Sequence, residues 1–264
     1  MALIGSELAS PSGLTLPEFF PTLKFIFPTA AKRRSTVLKR TPINQWFDNF
    51  SLVDPSRREE LQIEGLTETA AYVRALIDEE TRTIPSERVF LGGLSQGSAA
   101  AVYTLLTLDQ PLGGFIGMSG WFPFARHVAD ILDDGAGGGT TDGVDDLFET
   151  DGKDPQSPEW QAINFLRENI GIDAVAAVDD VAPPPRPPVL GTPVILGHGE
   201  VDEKVNCRLG RQTGDTLTAL GMDVDWTIYP NFGHWYKEPE QIDHIAAFLQ
   251  QKMGRESAPD GAKE

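Results

Sequence analysis

Residues 88–101 constrain the fold more than any other stretch of this chain. They begin with an apolar run, residues 89–91, of the kind buried in a parallel strand. The pentapeptide Gly93-Leu94-Ser95-Gln96-Gly97 follows, and small apolar residues over 98–108 then favour a helix. A strand, a sharp turn and a helix in this order hold a serine hydroxyl clear of a sheet, as a nucleophile requires. The alternative is a glycine-rich turn with no chemical role.

The turn carries three further expectations. Ser95 is predicted to adopt a strained backbone conformation, and a Cβ at Gly93 or Gly97 is predicted to collide with a neighbouring element. The helix N-terminus would direct backbone N–H groups, that of Gln96 first, at an oxyanion forming beside Ser95.

Length and composition restrict the class of protein. At 264 residues with 40% hydrophobic content, the chain fits one α/β domain with a sizeable core. Its net charge of −17 argues against a nucleic-acid partner. No apolar run is long enough for a membrane span, and the N-terminus does not read as a secretory signal. Cys207 is the one cysteine, which suits a reducing compartment, so a cytoplasmic location is predicted.

Strand and helix patterns alternate along the chain, which predicts a mostly parallel sheet with helices on both faces. The chain begins with a predicted buried strand at 24–27, a polar loop at 29–44 and a helix at 54–82. Further strands are predicted at 88–91, 112–119, 193–197 and 223–229. Further helices are predicted at 98–108, 124–132, 158–169, 205–220 and 239–249. The residues 1–250 are read as a single domain, with a disordered tail at 251–264.

Two segments interrupt this alternation. Residues 133–157 contain eight Asp or Glu against one Lys, and three consecutive glycines, so they cannot bury enough apolar surface to order themselves. We predict a disordered insertion there; the acidic spacing does not fit a calcium loop. Residues 183–188 form a proline-rich connector, for which a spacer is favoured over a ligand for a proline-binding module.

Four histidines compete for the role of catalytic base. His127 and His244 fall in predicted helices and are expected at the surface, whereas His198 and His234 both follow strands. Active sites of open parallel sheets lie at the carboxyl ends of strands, which fits either of the latter two.

Chain order favours His234 over His198. In α/β-hydrolases the order is nucleophile, acid, histidine, and Ser95, Asp202 and His234 satisfy it. Their other interpretations are a helix N-cap for Asp202 and an ordinary loop histidine for His234. As catalytic groups, His234 would take the proton of Ser95, and Asp202 would fix the tautomer of His234.

Several motifs occur together in one order along the chain. They are Leu-Gly-Gly-Leu-Ser-Gln-Gly at 91–97, Ser-Gly-Trp at 119–121, Leu-Gly-His-Gly at 196–199 with Asp202, and Phe-Gly-His-Trp at 232–235; Phe-Pro-Thr-Ala at 27–30 and Trp-Phe-Asp at 46–48 accompany them. With these motifs the chain resembles the phospholipase/carboxylesterase family, which includes the acyl-protein thioesterases. The resemblance implies an α/β-hydrolase fold, the same triad, and hydrolysis of long-chain acyl thioesters or carboxylic esters without cofactor or metal.

One part of the family pattern is missing. Members carry an apolar strand and a His-Gly loop ahead of the segment that resembles Phe25–Phe27, and that loop supplies the second oxyanion donor. Neither occurs here, so we expect N-terminal strands to be missing and a gap between the strand at 24–27 and that at 88–91. A truncated gene or isoform, with further coding sequence upstream of Met1, is the favoured interpretation, and a natural short protein is the alternative.

Substrate and activity are left with alternatives. Leu94, Trp121 and Trp235 are candidate substrate-binding residues, with acylated protein, lipid or a small ester as substrate. The rivals are a lysophospholipase and a catalytically impaired, hydrolase-like protein that binds acylated partners. The oligomeric state is not predicted.

Overall fold

The computed structural model describes residues 15–136, 157–175 and 185–254. Most of the predicted acidic insertion, the start of the predicted proline-rich connector and most of the predicted tail lie outside the described residues. The division of the chain into one domain with these appendages therefore stays a prediction.

Seven α-helices, two short 3₁₀ helices (Ser86–Arg88 and Pro188–Gly191) and six strands are described in those ranges. The helices are α1 (Leu16–Phe19), α2 (Glu60–Thr81), α3 (Gln96–Leu106), α4 (Ala125–Ala136), α5 (Pro158–Asn169), α6 (Cys207–Ala219) and α7 (Glu240–Met253). The strands are β1 (Lys32–Ser35), β2 (Thr41–Asn44), β3 (Phe90–Leu94), β4 (Gly114–Met118), β5 (Val194–Gly199) and β6 (Val224–Tyr229).

Strands β3 to β6 form one parallel sheet in the order of the chain. Parallel neighbours need a crossover, and helices α3 and α6 supply two of them by packing back on the strands that they connect. The predicted alternation of strand and helix is thus confirmed. It places the carboxyl ends of all four strands, and the loops that follow them, at one edge of the sheet.

Helices cover both faces of this sheet, as predicted. Successive side chains of a strand point to opposite faces, and the two apolar clusters divide accordingly. Phe115 and Leu196 pack in the larger cluster with α2, α3 and α5, while Leu94 and Met118 pack in the smaller one with α7.

The predicted strand at 24–27 is wrong. Residues 24–27 form no strand, and the side chains of Ile26 and Phe27 are 42% and 45% exposed. Phe25 and Phe27 stack on each other, with ring centroids 6.4 Å apart, and do not pair with β3. The predicted gap between two strands is therefore wrong as well, because one of the two does not form; within the described residues β3 is instead an edge strand of the sheet.

The predicted loop at 29–44 contains an antiparallel hairpin instead, formed by β1 and β2. Its turn is held by Asp48, whose carboxylate accepts hydrogen bonds from the backbone N–H and the hydroxyl of Thr36. Lys39 and Arg40 in that turn both have positive φ. Gly and Asn are the usual residues at such positions, so the turn carried no sequence signal.

Candidate active site

Ser95 lies on the turn between β3 and α3 with φ 55° and ψ −123°. A residue with a side chain holds a positive φ at a cost of about 1–3 kcal/mol, which the surroundings must offset. Two backbone hydrogen bonds do so: Ser95 N–H donates to Met118 O at 2.8 Å, and Ala99 N–H donates to Ser95 O at 3.1 Å. The predicted strain at Ser95 is therefore present.

The two glycines that flank Ser95 have different roles. A Cβ on Gly93 would lie 2.3–2.5 Å from the backbone of Gly97 and Ser98, so only glycine fits there. A Cβ on Gly97 would meet nothing closer than Trp46 Nε1 at 3.5 Å, which is ordinary contact. The predicted collision holds for Gly93 and is wrong for Gly97, because Gly97 already lies in α3 and Trp46 leaves room for a Cβ there.

Asp202 follows β5 and uses its two carboxylate oxygens differently. Oδ1 accepts the backbone N–H groups of Lys204 at 2.8 Å and Val205 at 2.9 Å. Oδ2 faces His234. Asp202 thus accepts backbone N–H groups as a cap would, and it orders the turn after β5. It is not the N-cap of α6, because that helix begins further on with Asn206 as its N-cap.

His234 lies between the serine and the aspartate. Its Nε2 is 2.9 Å from Ser95 Oγ, and its Nδ1 is 2.7 Å from Asp202 Oδ2. The Asp202 side chain is fully buried, whereas 19% of the His234 side chain is exposed. One ring nitrogen therefore faces a buried carboxylate and the other faces the serine hydroxyl.

The loop that carries His234 is tied to the sheet. Ser119, which follows β4, donates its hydroxyl to Trp235 O at 2.9 Å. Val201 N–H donates to Phe232 O at 3.0 Å. These bonds fix the His234 loop against the ends of β4 and β5.

The other three histidines lie elsewhere. His127 and His244 are exposed on α4 and α7, in agreement with their predicted surface positions. His198 is 1% exposed and, within the part of the chain that the structure describes, forms no hydrogen bond with Ser95; its Nε2 is 3.1 Å from the same Asp202 oxygen that faces His234. The structure thus separates His198 from the serine and still joins it to the aspartate.

The backbone N–H of Gln96 opens α3, so it has no acceptor inside the helix and lies beside Ser95. The Gln96 side chain has a second role that the sequence did not indicate. Its Oε1 accepts Trp46 N–H at 2.9 Å, and its Nε2 donates to Phe47 O at 2.8 Å. The residue after the serine thereby holds the 46–47 loop beside the site.

The candidate substrate-binding residues occupy three different environments. Leu94 is buried on the α7 side of the sheet, so it offers little surface to a ligand. Trp121 is also buried, in edge-to-face contact with Phe47, but it lines a small surface cleft, and its indole N–H has no hydrogen-bond partner among the described residues. Trp235, next to His234, is 44% exposed.

The described ranges contain no group of three His, Cys, Asp or Glu side chains placed to hold a metal ion. None of the helices in those ranges is both long and apolar enough to cross a membrane.

This fold and this site define the class. A parallel α/β sheet with a serine on a strained strand-to-helix turn, followed by an aspartate and a histidine after later strands, is an α/β-hydrolase arrangement. The family model described as Phospholipase/Carboxylesterase matches residues 14–133. The chain thus has an α/β-hydrolase fold and is similar to that family over this segment, in agreement with the resemblance found in the motifs.

The chain is also similar to curated relatives in sequence and to solved structures in fold. The chain is 29% identical to acyl-protein thioesterase 1 of Gibberella zeae over 88% of its own length and 77% of the relative's. It is 24% identical to acyl-protein thioesterase 1 of Candida albicans, over 84% and 75% of the two chains. Acyl-protein thioesterase 2 of Zea mays superposes with a TM-score of 0.57 at 22% identity, covering 90% of this chain and 87% of that one. For Arabidopsis thaliana SOBER1 the TM-score is 0.59 at 20% identity, with coverages of 87% and 84%; at such identities these structures show the shared fold.

Proposed function

We propose that the protein is a serine hydrolase that cleaves acyl thioesters or carboxylic esters through an acyl-enzyme on Ser95. The observation that carries the proposal is His234, which lies within hydrogen-bond distance of both Ser95 Oγ and Asp202 Oδ2. A serine nucleophile, a base in contact with it and an acid that orients the base form the constellation needed for acyl transfer.

The reaction follows from these contacts. Ser95 Oγ attacks the acyl carbonyl while His234 Nε2 accepts the hydroxyl proton, and Asp202 stabilises the resulting imidazolium. The Gln96 N–H is the proposed donor to the tetrahedral oxyanion. Collapse of this intermediate breaks the bond to the thiolate or alkoxide, which leaves with the proton from His234. A water molecule, deprotonated by His234, then attacks the acyl carbon; the acyl–Oγ bond breaks, the carboxylic acid leaves, and Ser95 Oγ takes the proton back from His234.

An acylated protein is the proposed substrate class, because the relatives are acyl-protein thioesterases. We further propose that Trp121 and Trp235 contact the substrate, with Trp235 the more accessible of the two. For Leu94 we propose no contact with the substrate; its buried side chain packs on the α7 side of the sheet and supports the serine turn. The cytoplasmic location and the absence of a nucleic-acid partner stay predictions.

The test compares three acyl donors: an S-palmitoylated peptide, a palmitoyl lysophospholipid and a short-chain p-nitrophenyl ester. Ser95→Ala should lower turnover of each hydrolysed donor by roughly 10⁴–10⁶-fold, as loss of a triad nucleophile does elsewhere. Ser98→Ala, in the same helix, is the matched control and should keep its activity. Preference for the lysophospholipid would replace acylated protein with lysophospholipid as the substrate class. A Ser95→Ala variant as active as the wild type would show that Ser95 takes no part in the mechanism.

A further inference from the structure

His198 is buried beside the proposed triad without a place in its chemistry. It lies one residue before the end of β5, and its Nε2 is 2.9 Å from Val205 O as well as 3.1 Å from Asp202 Oδ2. A carbonyl oxygen can only accept a hydrogen bond, so Nε2 must carry the proton. The same N–H is therefore directed at both oxygens.

The contacts of His198 complete the set of donors around Asp202. Oδ1 takes two backbone N–H groups, and Oδ2 takes His234 Nδ1–H at 2.7 Å and His198 Nε2–H at 3.1 Å. Because the Asp202 side chain has no exposed surface, no water replaces a donor that is lost. Without His198, His234 would be the one donor to Oδ2 among the described residues, and the carboxylate could rotate about its remaining hydrogen bonds.

Packing fixes the His198 ring in the plane that these contacts need. A Cβ on Gly210 of α6 would lie 2.3 Å from His198 Nδ1, so the helix backbone fits directly against the ring. Trp226 of β6 covers another side at a centroid distance of 6.2 Å. Burial lowers the pKa of His198, which keeps the imidazole neutral.

We propose that His198 is a positioning residue for the proposed reaction: its Nε2–H holds the Asp202 carboxylate in the orientation in which Oδ2 receives Nδ1–H of His234. His198 does not touch the reacting atoms and acts through Asp202. The proposal rests on the proposed function for its effect on rate, and on geometry alone for its effect on Asp202.

Two substitutions separate hydrogen bonding from packing. His198→Met fills a similar volume without a donor, whereas the amide nitrogen of His198→Gln lies near the place of Nε2. Outer partners of metal-site histidines and carboxylates contribute about 10–100-fold to activity, and we expect a loss of that order in kcat for the Met variant with KM unchanged. The Gln variant should recover most of the rate. Equal losses in both variants, with both folded, would overturn the proposal.

The same change in an Asp202→Asn background tests the route of the effect. If His198 acts through Asp202, His198→Met should cause no further loss of kcat there, because residues that act as a unit are not additive. A purely structural role would lower kcat by the same factor in both backgrounds, and that result would contradict the proposal.

Alanine substitutions at Gly210 and Gly214 form a matched pair that removes no polar group from the protein. Gly210→Ala forces the His198 ring away and should reproduce the kcat loss of the Met variant. Gly214→Ala, one turn along the same helix, introduces a Cβ no closer than 3.7 Å to Leu196 and should leave kcat unchanged. Full activity of a folded Gly210→Ala protein would count against a role for the ring position.

A spectroscopic readout keeps the proposal testable if the protein proves inactive. The Nδ1 proton of His234, hydrogen-bonded to Asp202, should give a downfield NMR resonance in ¹⁵N-histidine-labelled protein. His198→Met should shift or broaden this resonance and His198→Gln should preserve it. An inactive wild-type protein that behaves in this way would refute the proposed function alone, whereas an unchanged resonance in His198→Met would refute the positioning role.

Discussion

The two glycines of the serine turn should respond to alanine with opposite signs. At Gly93 the new Cβ would lie 2.3 Å from the carbonyl carbon of Gly97, and the atoms that it meets belong to backbone rather than to a flexible side chain. The backbone would have to move by roughly 0.7 Å to reach the closest contacts that real Cβ atoms make, a typical overpacking distortion.

Such overpacking costs about 1–3 kcal/mol, occasionally more. In a chain of this size each kcal/mol lowers Tm by about 2–4 °C, so Gly93→Ala should lose several degrees. The displacement also moves Ser95, and a misplacement of about 1 Å is enough to lower a rate about 10²-fold.

At Gly97 the same substitution should be harmless or stabilising. The Cβ meets only Trp46 Nε1 at 3.5 Å, and Gly97 lies within α3, where alanine is favoured over glycine by up to about 1 kcal/mol. Thermal unfolding followed by circular dichroism, together with ester hydrolysis, should find Gly93→Ala impaired in both and Gly97→Ala impaired in neither. Equal destabilisation by the two changes would refute the assignment of the tight contact to Gly93 alone.

Two further substitutions test the surroundings of the site. Gln96→Ala removes the acceptor for Trp46 N–H and the donor to Phe47 O, so the free energy of unfolding in urea should fall by about 1–3 kcal/mol; no loss would show that the 46–47 loop is held by other contacts. Burial raises the pKa of Glu59, whose carboxylate accepts the N–H of Phe124. The protonated form of Glu59 therefore stabilises the fold at low pH, and this contribution is lost as the pH rises through the folded pKa. Glu59→Gln should therefore raise Tm at about pH 7, with the gain vanishing below about pH 4; a gain that persists at low pH would refute burial as its cause.

The sequence predicted the elements whose signals are local. The helix over Pro158–Asn169 was predicted with its observed bounds, and local signals fix its start in the structure, where Ser157 caps it and Pro158 begins it. Ser95, Asp202 and His234 were predicted to lie together because each follows a strand pattern and parallel strands bring their carboxyl ends to one edge; the structure places the three side chains within hydrogen-bond distance, and their catalytic roles stay a proposal.

Other features depended on contacts that no local pattern reveals. The apolar run at 24–27 reads as a strand, yet a strand forms only against a partner, and here the side chains of Ile26 and Phe27 face solvent. Gln96 reads as an ordinary first helical residue, and only the fold brings it to Trp46, fifty positions away. The contact of His198 with Asp202 depends on the turn after β5, whose course the sequence does not specify.

The central claim is that His234 activates Ser95 for acyl transfer. A fluorophosphonate probe reacts only with an activated serine, and intact-mass analysis with peptide mapping identifies the residue that it modifies. The account predicts one probe per chain, attached to Ser95, with labelling strongly slowed in a folded His234→Ala variant. A folded wild-type protein that is not labelled, or is labelled at the same rate without His234, would contradict the account and favour a hydrolase-like protein that binds acylated partners without turnover.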